Sequence, residues 1–191
     1  MCQLANYNKS TFKPFIKDMR KKVLIVLVLL VSVTARSQQV FELGGEMLKS
    51  YGKGYGTTKV AARGENFNNK NSFSAGITWQ LASKKAYSVS TGFGVYFGYR
   101  HAFGNNLKGS NPFGGGRLLI SLEDFEGKTR QKSIMITPML EAGYHLVFAK
   151  RIYTAPSLGF GYTIEMSQGF NSLNEDVGKR FIPSLSAGYR F

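Results

Sequence analysis

The last eleven residues read "FIPSLSAGYRF", and their pattern constrains the chain more than any other feature. Phe181, Pro183, Leu185, Ala187, Tyr189 and Phe191 fall on one side of an extended backbone, while Ile182, Ser184, Ser186, Gly188 and Arg190 fall on the other. Successive side chains of a strand point to opposite faces, so a period of two marks a strand with unlike faces. Four more segments repeat it. "SFSAGITWQLA" sets Phe73, Ile77, Trp79 and Leu81 against Ser74, Gly76, Thr78 and Gln80. "AYSVSTGFGVYFGYR", "SIMITPMLEAGYHLVF" and "RIYTAPSLGFGYTIEM" alternate in the same way, and "QVFELGGEML" does so more weakly.

Alternation by itself fits a soluble barrel, apolar within, as well as a membrane barrel, apolar without. The character of the second face decides between them. A water-facing strand surface carries Lys, Glu and Asp, which keep it dissolved and block edge pairing. Here the second face is mostly Gly, Ser, Ala and Thr, poor solvating groups that suit the cramped inside of a narrow barrel. The bulky face is therefore expected to meet lipid. Hydrocarbon demands that every backbone group be bonded, so strands cross it only as a closed barrel. The expected fold is an all-β, antiparallel, up-and-down transmembrane barrel over residues 38–191. The 22 glycines and 14% aromatic content suit tightly turning strands.

The alternating segments locate six strands. "YGTTKVAAR" and "RLLISLEDF" add two more and give eight, the smallest number usual for bacterial barrels and the one favoured here. In the six-strand scheme, 83–85 and 149–151 are tight periplasmic turns, and 50–71, 101–131 and 168–179 are long loops facing outward. Trp79, Tyr87 and Phe148, near the tight turns, then form an inner aromatic belt. Pro138, Pro156 and Pro183 interrupt central strands on the apolar face, where bulges are expected.

The formal charge of +14 is unevenly spread. Residues 1–37 hold seven Lys/Arg against the single acid Asp18, leaving 18 basic and 10 acidic residues beyond them. "MRKKVLIVLVLLVSVTARSQQ" has a basic start, an apolar run from Val23 to Val33, and small residues before Gln38. This eleven-residue run, apolar but for Ser32, falls short of the ~20 that span a bilayer as a helix, but it suits a signal-peptide core. Residues 19–37 are read as a signal peptide cleaved between Ser37 and Gln38, and 1–18 as an upstream extension. Cys2 is the only cysteine and precedes that segment, which leaves the mature chain without thiol chemistry or disulfides.

No catalytic or metal-binding pattern emerges, and no cofactor is expected. His101 and His145 lack partners at metal-ligand spacing. "GKGYGTT" lacks the spacing and the ending of a phosphate loop. The ionisable residues assigned to the lumen are Glu42, Glu46, Arg100, Glu141, His145, Glu165, Arg180 and Arg190. They are expected to pair with one another, Glu165 with Arg180 foremost, because charge removed from water needs a partner. Lys49, Lys53, Lys59, Arg63, Lys70, Lys108, Arg117, Lys128, Arg130 and Lys132 are placed in loops, where they would meet lipopolysaccharide phosphates. Nucleic acid is not an expected partner, since the basic residues are scattered and the aromatics belong to the apolar face.

The stretches "ITPMLEAGYHL" and "APSLGFGY" and the ending Tyr189-Arg190-Phe191 resemble the PorT-like family of small outer-membrane β-barrels of Gram-negative bacteria. The resemblance implies an outer-membrane location and a structural or interaction role without catalysis. It also admits an accessory role in an envelope secretion or assembly complex; a lipid-modifying enzyme is a further alternative. An ending of alternating aromatics is similar to the address read by the barrel-insertion machinery, with Leu185, Tyr189 and Phe191 as its carriers.

Overall fold

The computed structural model describes residues 40–52, 56–84, 88–104, 109–126, 131–166 and 178–191. The signal-peptide and upstream-extension assignments, and the side chain of Tyr87, lie outside the described residues. Eight strands follow one another: β1 (Val40–Tyr51), β2 (Gly56–Asn68), β3 (Asn71–Lys84), β4 (Ser88–Ala102), β5 (Asn111–Glu126), β6 (Gln131–Phe148), β7 (Ile152–Met166) and β8 (Gly178–Arg190). Each pairs antiparallel with the next, and β8 pairs with β1, so the sheet closes. Closure leaves no unpaired edge, the condition for a sheet in hydrocarbon.

The eight-strand expectation holds, and the loop scheme drawn from six strands does not. The segments 50–71 and 101–131 contain β2 and β5 entire. The start of β1 and the end of β8 lie at one end of the barrel, together with the turns at 69–70 and 149–151 and the junction of β4 with β5. β3 ends and β4 begins at the opposite, hairpin end, so the sequence segments 83–85 and 149–151 do not mark two turns on one side. Trp79 pairs with Phe93 toward the hairpin end, and Phe148 borders the 149–151 turn at the terminal end, so the two do not share a belt.

The bulky apolar face points outward on every strand but β2, whose outward residues are small. Leu140 is 73% exposed, Phe160 65% and Phe73 63%. Two outward aromatic groups flank this wall. Tyr51, Phe160 and Phe181 cluster near the hairpin end, where Tyr51 stacks on Phe181 at 6.4 Å and Phe160 meets Phe181 at 5.1 Å. At the terminal end Phe73 packs against Tyr99 at 5.3 Å, and Phe191 against Tyr189 at 5.0 Å and Phe41 at 6.5 Å. Leu185, Tyr189 and Phe191 all face outward on or beside β8.

The prolines do not bulge the sheet. Leu118 stands opposite Pro138, Leu185 opposite Pro156 and Leu158 opposite Pro183, all in unbroken register. A proline forfeits one donor without adding a residue, so on its other side the ladder lapses at the proline and resumes in the same register. The register shifts fall instead between Thr58 and Lys59 and between Val89 and Thr91.

The β6–β7 turn is strained by composition. Ala149 (φ 48°) and Lys150 (φ 64°) are both left-handed, and the Arg151 amide donates to the Phe148 carbonyl at 3.1 Å. Two consecutive left-handed residues make a type I′ turn, which favours Asn-Gly because a Cβ is disfavoured there. Ala149→Asn with Lys150→Gly should raise unfolding stability by about 1 kcal/mol, read as a higher urea midpoint at unchanged slope.

Candidate functional site: a charged plug in the lumen

Inward positions build the interior in layers, and the strand period sets their spacing. Glu46 on β1, Arg63 and Glu65 on β2, Arg100 on β4, Arg117 on β5 and Glu141 on β6 all point inward and are buried. They close into a ring of alternating charge. Arg117 reaches Glu46 and Glu141 at 2.7 Å each. Arg100 meets Glu141 at 2.7 Å and Glu65 at 3.4 Å. Arg63 is bonded to Glu65 and lies 3.8 Å from Glu46, completing the circuit. Three guanidinium groups thus alternate with three carboxylates, and the ring carries no net charge.

Neighbouring groups hold the ring in place. The Tyr96 hydroxyl donates to Glu46 at 2.8 Å, Ser72 donates to Glu65 at 2.6 Å, and Arg63 donates to Ser186 at 3.0 Å. Arg117 lies over the Tyr96 ring at 4.7 Å and Arg100 over Phe113 at 4.3 Å, so aromatic faces cover guanidinium planes away from water. Tyr96 has room because Gly76 faces it: a Cβ there would lie 2.4 Å from the Tyr96 ring. At the terminal end Glu42 takes 2.7 Å contacts from the Nε and Nη2 of Arg190 and a 3.1 Å contact from His145. His145 stacks on Tyr153 at 5.4 Å.

Two residues further toward the hairpin end, four of the six ring positions give way to apolar ones. Glu46 is followed inward by Leu48, Arg63 by Ala61, Arg117 by Leu119 and Glu141 by Met139. With Tyr96 and Ile182 these form one buried cluster. Beyond it Lys59 contacts Glu123 at 2.5 Å and Ser121 at 3.1 Å, and Thr137 pairs with Thr163 at 2.8 Å. A charged layer, an apolar septum and a polar cup therefore succeed one another along the axis. Side chains fill the lumen of so narrow a barrel, and the septum residues stand beside the buried hydroxyls of Thr78, Thr137 and Ser184 on neighbouring strands.

All eight ionisable residues assigned to the lumen from sequence do face inward. The structure joins Arg100 to Glu141 and Arg190 to Glu42. It does not bring Glu165 and Arg180 together. Arg180 stands opposite Gly161, four residues before Glu165, which is about 13 Å along a strand. Its guanidinium leans over Gly52 instead, and Glu165 accepts from Ser133 at 2.7 Å.

Lys59, Arg63 and Arg117, expected in loops facing lipopolysaccharide, are buried in the lumen. Lys70 sits in the β2–β3 turn at the terminal end, away from the hairpins. Lys49 and Lys132 are exposed on the outer wall near the hairpin end, and Lys53, Lys108, Lys128 and Arg130 fall outside the described residues. Glu65 and Glu123 escaped notice altogether. One signal was available: in "TKVAARGEN" the charges Lys59, Arg63 and Glu65 share one parity.

Bulky apolar groups outside and buried ion pairs inside, on a closed eight-stranded meander, define the architecture of the small outer-membrane β-barrels. The chain is similar to the N-terminal β-barrel domain of Pseudomonas aeruginosa OprF, with a TM-score of 0.56 and 13% identity over 80% of this chain and 97% of that one. It is similar also to neisserial surface protein A, with a TM-score of 0.55 and 14% identity over 81% of this chain and 96% of that one. At these identities the likeness is one of fold. No protein-family model and no curated protein matches the chain.

Proposed function

We propose that the protein is an integral barrel of a bacterial outer membrane, sealed to ions, whose role is structural or interactive rather than catalytic. The observation that carries this is the inverted polarity: exposed Leu, Phe and Tyr around the wall, and a neutral Arg/Glu ring beneath an apolar septum. An apolar outer wall of this kind is insoluble in water and satisfied in hydrocarbon. The likeness to OprF and neisserial surface protein A supports the fold on which the reading rests. With the start of β1 and the end of β8 on the periplasmic side, as short-turn ends are placed in such barrels, the hairpin end faces outward and carries the interactions. The outward Leu185, Tyr189 and Phe191 of the closing strand are suited to being read during insertion.

The mature chain is expected in the outer-membrane fraction, with gel mobility that changes on heating. In planar bilayers it should give no steady conductance. A stable open channel in the unaltered protein would refute the sealed lumen.

The resemblance of three stretches to PorT-like barrels favours a second reading, an accessory subunit of an envelope secretion or assembly complex. The stretches that carry that resemblance occupy β6, β7 and the end of β8, one continuous part of the wall. Stable co-purification of another envelope protein after mild solubilisation supports it.

A further inference from the structure

Among the described residues, two cations on the outer wall have no carboxylate to meet. Lys49 on β1 and Lys179 on β8 are exposed and point outward near the hairpin end. Among the described residues, no Asp or Glu shares the outward face of β7, β8, β1 or β2. Lys132 differs, because it stands opposite Asp124.

Lys49 and Lys179 flank an aromatic pair. Tyr51 faces Phe181 across the β1–β8 seam, Lys49 lies two residues before Tyr51, and Lys179 lies two residues before Phe181. The Lys49 ammonium is 5.3 Å from the centre of the Tyr51 ring, and Lys179 stands opposite Tyr162. The register sets the two lysines four residues apart along adjacent strands, about 13 Å. Long lysine stems lie along apolar surface while their ammonium groups reach for the polar boundary. Beyond the described residues of the wall, an ammonium at that depth meets lipid headgroups, and a phosphate satisfies charge and donors together.

We propose that Lys49 and Lys179, with Tyr51 and Phe181 between them, form a docking patch on the outer wall for the phosphorylated sugar headgroup of lipid A. The inference rests on the outer-membrane reading, since only there does the hairpin end meet the lipopolysaccharide leaflet. Two cations spaced along the seam fit a headgroup with more than one phosphate better than a lipid with a single one. The aromatic rings between them offer flat faces to the sugars.

The test uses the mature barrel in neutral detergent, titrated with bisphosphorylated lipid A, fully dephosphorylated lipid A and phosphatidylglycerol. Bisphosphorylated lipid A should bind at least tenfold more tightly than either other lipid. The double variant Lys49→Gln/Lys179→Gln should lose that tenfold preference, while Lys150→Gln, at the opposite end, should keep it. Equal binding of bisphosphorylated and dephosphorylated lipid A overturns the proposal, and so does equal binding of phosphatidylglycerol. The ligand comparison needs only the unaltered protein, so it stands even if the variant folds poorly. A barrel found in the outer membrane that fails this comparison refutes the headgroup site alone, whereas absence from that membrane refutes the underlying reading.

Discussion

Arg117→Leu should destabilise the barrel by about 3–5 kcal/mol, the usual consequence of removing one partner from a buried charge cluster. The Arg117 guanidinium is shared between Glu46 and Glu141, each 2.7 Å away. Its loss leaves five ring members with an excess negative charge and two carboxylates short of a donor. Glu141 keeps Arg100, so the deficit falls mainly on Glu46, whose nearest remaining guanidinium is 3.8 Å away. Adding Glu46→Gln restores neutrality, and the double variant should regain more than half of the loss. Urea unfolding followed by the heat-sensitive gel shift measures both. Losses that simply add would show that the ring is a set of independent pairs, since coupled groups are recognised by non-additivity.

Gly44→Val should prevent closure of the barrel. Gly44 faces Gly188 across the β1–β8 seam. A Cβ on Gly44 would lie 2.3 Å from the Ala187 carbonyl oxygen and 2.5 Å from the Tyr153 hydroxyl, and one on Gly188 would lie 2.1 Å from the Leu43 carbonyl oxygen. The nearest obstacle at each glycine is backbone, so rotamer changes cannot relieve it and the strands must part. Parting them strains the Arg190–Glu42 contact on the same seam. Gly45→Val is the matched control: its Cβ points outward and would meet nothing closer than 3.8 Å. The expected result is no heat-modifiable species for Gly44→Val and a normal one for Gly45→Val. Tyr153→Phe should not rescue Gly44→Val, because the Ala187 carbonyl remains.

Strand identity and facing were legible wherever one parity was bulky, as in β3, β4, β6, β7 and β8. They were poorly legible in β2 and β5, and the physical reason differs between the two. The outward face of β2 is Gly56, Thr58, Val60, Ala62, Gly64, Asn66 and Asn68, too small to stand out against its inward charges. In β5 the run Leu118–Ile120 is apolar at both parities because Leu119 belongs to the septum. Half of the ring lies on these two strands, so Arg63, Glu65 and Arg117 were missed as lumen residues. Sequence parity placed Glu165 and Arg180 on the right face, but only the register shows how far apart they sit. The belt failed for a related reason. Proximity to a tight segment says nothing of which end that segment occupies until the number of strands is known.

The central claim is that the bulky parity faces hydrocarbon. Single cysteines carrying a fluorescent label at Phe73, Phe97, Leu140, Leu158 and Leu185, on five strands, test it directly in bilayers containing brominated acyl chains. All five positions are outward and exposed on the wall. Strong quenching by the brominated lipid at all five, with little quenching by aqueous iodide, is the predicted result. Labels quenched by iodide and indifferent to the brominated chains would contradict the claim, because those faces would then be in water.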